Sequence, residues 1–130
     1  MTPRPEKNVR VKRVYDTPDS TDGTRVLVDR LWPRGISKQR AQVDEWLRDV
    51  APTSELRRWF HADPTARWDE FADRYRDELD DDRHAPELAR LHDLRASGPV
   101  TLLTAVSEPT HSHVAVLLRV LAEPRPGGRS

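Results

Sequence analysis

The residues with the most chemistry in this chain fall in two loops. The first, Asp29-Arg30-Leu31-Trp32-Pro33-Arg34-Gly35-Ile36-Ser37-Lys38, carries four cations between Arg30 and Arg40 and no acid. Arginine forks match carboxylate or phosphate oxygens two at a time, and Lys38 adds a point charge. A helix opening at Ser37 would contribute unpaired backbone N–H groups. Arg30, Arg34, Ser37 and Lys38, with Trp32 beside them, therefore form a candidate anion-binding set. The competing account is a brace, in which Asp29 pairs with one arginine, Trp32 packs in the core and the other cations are solvated.

The second loop is Ser107-Glu108-Pro109-Thr110-His111-Ser112-His113. An imidazole at the start of a helix suits a general base or a hydrogen-bond donor, so His113 is a catalytic candidate. Ser112 is a ligand-binding candidate, and a nucleophile only if a base reaches its hydroxyl. Neighbouring helix positions diverge, so Ser112-His113 is no dyad by adjacency, and the competing role is a helix cap. His111-x-His113 has the look of a chelate, which His61 or Glu108 would complete. Without cysteine or HExxH-type spacing no metal is assigned, and no cofactor is specified.

A third stretch, Trp59-Phe60-His61-x-Asp63, sets aromatic bulk beside an imidazole and a carboxylate, a combination that can wall a pocket. His61 and Asp29 join His113 as acid/base candidates, and Trp59 joins the ligand-binding set. Asp63 is better explained as the N-cap of the next helix, ahead of Pro64. From Asp69 to Asp82 there are eight acids and two arginines. That run reads as a solvated face, because it lacks the glycine turn and closing glutamate of a calcium loop.

These loops need a scaffold. The chain has 130 residues, 22 Lys+Arg against 22 Asp+Glu, 35% hydrophobic residues and no cysteine, which suits one domain. The missing cysteines exclude disulfides and thiolate catalysis and fit a cytoplasmic setting. Zero net charge disfavours a dedicated nucleic-acid binder, and no apolar run approaches the ~20 residues that span a bilayer. Residues 1–8 and 123–130, rich in proline and polar groups, read as flexible ends around a domain over 9–122. Val9, Val11 and Val14 mark a first strand, and Arg25-Val26-Leu27-Val28 a buried second one. Ser37 caps a short helix through Gln42. VDEWLRDV is open between helix and strand: Val43, Trp46, Leu47 and Val50 have helical spacing, which leans toward a helix over 43–50, while the segment is short and stops at Pro52. A helical turn opens at Thr53 or Ser54. Helices follow around Trp68, Phe71, Tyr75 and Leu79, and from Pro86 to before Gly98. A strand over 100–106 and a helix carrying Val114, Leu117 and Leu121 complete the chain. A helix into a strand and a helix out of it is α/β construction: a small, mainly parallel, Rossmann-like sheet flanked by helices, with ligands beyond the strand ends.

VYDTPDSTDGTRVLVDRLWPRGISK, then Ala51-Pro52 with LRRWFHADPTARWDEFADRY, then VTLLTA resemble the domain of unknown function 488 family, in its YeaO-like branch. The likeness runs over about residues 10–122, and DRLWPRG and WFHxDP are its most specific stretches. It implies a compact α/β domain with Asp29, Arg30, Pro33, Arg34, Gly35, His61, Asp63 and His113 at recurrent polar positions. It implies no particular reaction. The last loop departs from the family pattern, and a related branch places cysteines near Thr104 and Ser112, so thiol chemistry does not carry over.

The expected function is an enzyme or ligand-binding domain with an arginine-lined pocket for a small phosphorylated or carboxylated ligand and a histidine acid/base. The alternative is a non-catalytic regulatory or nucleic-acid-associated module. A homodimer is compatible with either.

Overall fold

The computed structural model describes residues 9–123. Of the terminal segments assigned as flexible, 1–8 and 124–130 lie outside these residues. Glu123 lies inside them and accepts from Arg76 at 2.7 Å. Among the described residues one sheet contains four parallel strands, β1 (Val9–Arg13), β2 (Thr24–Leu27), β3 (Glu45–Trp46) and β4 (Val100–Thr104), in the order β1-β4-β2-β3. Five helices accompany it: α1 (Lys38–Ala41), α2 (Ser54–Ala62), α3 (Trp68–Leu79), α4 (Ala85–Ser97) and α5 (His113–Ala122). The protein is an α/β domain, and among the described residues no helix is long and apolar enough to cross a membrane.

β4 is buried at every position, as its central place demands: Leu102 stands level with Val11 on one side and Val26 on the other. Successive strand residues alternate between faces. Val26, Val28, Val100 and Leu102 pack with Phe60, Phe71, Tyr75, Leu91 and Leu117. Val14, Leu27 and Leu103 pack with Ala41, against which Trp32, Ile36 and Trp46 lie. Gly23 brings the chain into β2 at φ +67°, and a Cβ there would stand 2.2 Å from the Pro99 carbonyl oxygen, so the turn requires glycine.

The helix expected over 43–50 is instead the two-residue strand β3 followed by a 3-10 turn over Arg48–Val50. Tertiary hydrogen bonds decide this: the Asp44 amide donates to the Arg25 carbonyl at 2.8 Å, the Asp44 carboxylate accepts the Arg25 amide at 2.9 Å, and the Leu47 amide reaches the Leu27 carbonyl at 2.9 Å. Pairing with β2 thus overrides a helical pattern too short to sustain itself. The last strand stops at Thr104, not 106. Asp63 does not cap α3. It closes α2 and accepts the Ala66 amide at 3.3 Å, holding a turn that delivers the chain to Trp68.

Candidate functional site

The carboxyl ends of three strands open onto one cleft. Tyr15 follows β1, residues 29–34 follow β2, and residues 105–108 follow β4. Arg57, Phe60 and His61 of α2 and Ser112-His113 at the start of α5 complete a space of about 750 Å³. Parallel sheets place ligands beyond their carboxyl ends, at the point where strand order reverses. β4, inserted between β1 and β2, creates that point here. The volume falls within the roughly 300–1,000 Å³ of small-molecule sites.

Asp29 and His113 form the polar floor. The Asp29 carboxylate accepts the Thr104 hydroxyl at 2.8 Å and the Ala105 amide at 2.7 Å, and His113 Nε2 lies 3.3 Å from it. The same Nε2 is 3.1 Å from the Val28 carbonyl oxygen. A carbonyl only accepts, so Nε2 carries a proton, and Nδ1 has no partner among the described residues. Burial pushes the Asp29 carboxyl up, but the hydrogen bond and charge of His113, the Ala105 amide and the Thr104 hydroxyl outweigh it and hold the group below the usual carboxylate range. The partner of Asp29 is thus a histidine, not an arginine.

Arg30 is committed to the protein. Its Nε donates to the Pro52 carbonyl at 3.0 Å, one terminal nitrogen to the Ala51 carbonyl at 2.9 Å, and the other pairs with Asp49 at 3.3 Å. It pins the segment before α2, whose other groups are also held: Tyr75 donates to Val50 O at 2.5 Å, and His84 Nε2 to Ala51 O at 3.0 Å. Trp32 lines the cleft but is fixed by Nε1 donating to the Ile36 carbonyl at 2.9 Å and by edge contact with Trp46.

Arg34 and His61 line the cleft and are exposed. Tyr15 donates to the Arg34 carbonyl at 3.0 Å, and the Arg34 guanidinium has no acceptor among the described residues. The His61 imidazole sits below its ordinary range, first through partial burial and then through the positive charge of Arg57 and His113.

Ser112 is a cap: its hydroxyl donates to the Pro109 carbonyl at 2.8 Å and accepts the Val114 amide at 3.1 Å, so no base reaches it. Ser37 caps α1 by accepting the Arg40 amide at 3.1 Å, and Ser37 and Lys38 lie outside the residues lining the cleft. Trp59 also lies outside it, held between the guanidinium groups of Arg67 and Arg74 at 4.8 and 4.4 Å. His111, also in the lining, stacks on Trp68 at 4.5 Å. Among the described residues no three metal-ligating side chains converge.

Sequence reasoning missed Arg57 and Tyr15. Arg57 stands four residues before His61 on α2, hence on the same helix face; its amide donates to the Thr53 carbonyl at 2.9 Å, while its guanidinium, like that of Arg34, has no acceptor among the described residues. That i,i+4 spacing was the available signal.

A family model described as the inactive DUF488-N3 subclade matches residues 8–125. The chain is 49% identical over 116 residues to the uncharacterized protein Rv3073c of Mycobacterium tuberculosis, and equally to Mb3100c of Mycobacterium bovis, covering 89% of this chain and 95% of each relative. It is 42% identical over 110 residues to the uncharacterized protein YeaO of Escherichia coli, covering 85% of this chain and 93% of that one. No solved structure matches it significantly. A match spanning nearly the whole described chain, together with these relatives, makes this a member of the DUF488 family, of the YeaO-like kind.

Proposed function

We propose that this domain binds a small organic anion in the cleft at the carboxyl ends of β1, β2 and β4 and does not transform it. The observation that carries the reading is the division of labour among the arginines. Arg30 is consumed by backbone carbonyls and Asp49, while Arg34 and Arg57 line the cleft with no acceptor among the described residues. Guanidinium groups free to accept a carboxylate or phosphate are what an anion site requires. His61 beside Arg57 adds a donor.

The non-catalytic half rests on Ser112, whose hydroxyl is engaged as donor and acceptor, on the lack of any thiol, and on the family description as inactive. Acid/base chemistry by Asp29 and His113 is the second reading, favoured by their pairing at the cleft floor. Against it, both groups are tied to the strand ends.

The test is thermal stabilisation by a panel of phosphate, citrate and phenyl phosphate, with the wild type compared with Arg34→Met/Arg57→Met. At least one anion should raise the wild-type Tm, and the double variant should lose the response. No response in the wild type, or an equal one in the variant, would sink the anion reading. Consumption of the bound anion, followed by NMR of the ligand, would restore the enzyme reading.

A further inference from the structure

Resting on the anion-site reading above, we infer that the ligand is an anion carried on an aromatic or similarly flat apolar body, seated against Tyr15 and Leu31 at the mouth of the cleft. Among the described residues these are the two exposed large hydrophobic side chains, at 43% and 67% exposure. Both line the same cleft. A single exposed apolar residue needs no explanation, but two exposed in the lining of one cleft offer an apolar lip to an entering ligand.

The volume points the same way. Inorganic phosphate fills only a small part of about 750 Å³, whereas small-molecule sites cover most of their ligand's surface and place a few polar groups in a largely apolar wall. The lining also carries the apolar side chains of Pro33, Pro52, Phe60 and Val106. The cationic groups sit among these residues, Arg34 next to Tyr15 in space and Arg57 on the α2 wall. A ring with an anionic substituent satisfies both sets together, with oxygens on the guanidinium groups and its faces on the lip. Guanidinium planes also stack on aromatic rings. The carboxylate of Glu108, the other acid of the lining besides Asp29, has no hydrogen bond or ion pair among the described residues and would repel a ligand carrying a second anion at that end.

Isothermal titration of the whole chain with phenyl phosphate and with inorganic phosphate tests this. Phenyl phosphate should bind at least about tenfold more tightly, as burial of one ring face implies. Leu31→Ser, at a position too exposed to threaten folding, should lower phenyl phosphate affinity about fivefold and leave phosphate affinity unchanged. Equal affinities for the two probes, or a variant that binds phenyl phosphate like the wild type, would overturn the inference while the anion site stands. If citrate or phosphate stabilises the protein through Arg34 and Arg57 but phenyl phosphate does not bind, the inference fails alone. If none of the anions binds, the anion site itself fails. A dimer by light scattering that Leu31→Ser dissociates, with no phenyl phosphate binding, assigns the lip to a second copy and also overturns the inference.

Discussion

Replacing Arg30 separates a structural arginine from a ligand-facing one. Arg30→Met keeps the unbranched stem and removes every donor. The Pro52 carbonyl then loses its only donor among the described residues, at a buried position, a loss of about 2–3 kcal/mol for a charge-assisted bond. The Ala51 carbonyl keeps the His84 donor at 3.0 Å and loses about 1 kcal/mol. The Asp49 pair, with Asp49 at 39% exposure, contributes less than about 1 kcal/mol. The sum is about 3–5 kcal/mol, a large share of the roughly 5–15 kcal/mol that stabilises a domain. With a urea m-value of about 2 kcal/mol/M, the midpoint should fall by about 1.5–2.5 M. Arg34→Met and Arg57→Met should stay within about 0.5 kcal/mol of wild type. The assay is urea unfolding followed by circular dichroism, with m unchanged across the set. Arg30→Lys should recover less than half the loss, because an ammonium group cannot fork between two carbonyls. A loss below about 1 kcal/mol for Arg30→Met, or a comparable loss for Arg57→Met, would refute this division of roles.

Gly23→Ala should cost at least about 3 kcal/mol in urea unfolding, because a Cβ at φ +67° meets the Pro99 carbonyl that also accepts the Thr24 amide at 3.0 Å; a stable alanine variant would show that this crossing can relax. The folded-state Asp29 carboxyl titrates below its unfolded value, so its stabilising effect is present above the unfolded pKa, near 3.9, and is lost as pH falls from there through the folded value. Asp29→Asn should therefore flatten the acid limb of the stability profile below about pH 4, and an unchanged limb counts against the Asp29 bonds. Arg57→Met should move the His61 titration upward by NMR, since the Arg57 charge helps to hold that imidazole down; a static or falling value would separate the two groups.

Where the local pattern and the tertiary partners agree the fold was legible. The strand at Arg25-Val26-Leu27-Val28 and the stripe through Trp68, Phe71 and Tyr75 follow from pattern and side-chain chemistry alone, and β2 and α3 lie there, while the cap of α5 was open among Ser107, Thr110 and Ser112 and falls to Ser112. The segment 43–50 misleads because its spacing carries helical information while its amides are claimed by β2. Asp63 misleads for a related reason: its carboxylate caps, but caps the turn before α3, and a sequence does not say how far a capped turn runs. At the site, the loops were legible and the roles were not. Whether an arginine faces a ligand or a carbonyl depends on a segment about 20 residues away, as Arg30 and residues 51–52 show.

The residues that look catalytic by type are the ones that hold the cleft's walls together. Asp29 ties the end of β2 to the end of β4 through Thr104 and Ala105, and to α5 through His113. His113 returns a hydrogen bond to Val28, and Arg30 fastens the chain that leads into α2. Every wall is thus joined to the floor by a buried or half-buried polar bond, and such links pre-organise a site and reduce the ordering cost of binding. Because those groups are spent on architecture, the cationic groups of the lining that stay exposed are Arg34 and Arg57. With Asp29, Arg30, Ser112 and the Nε2 of His113 engaged within the protein, the cleft holds its shape through its own bonds.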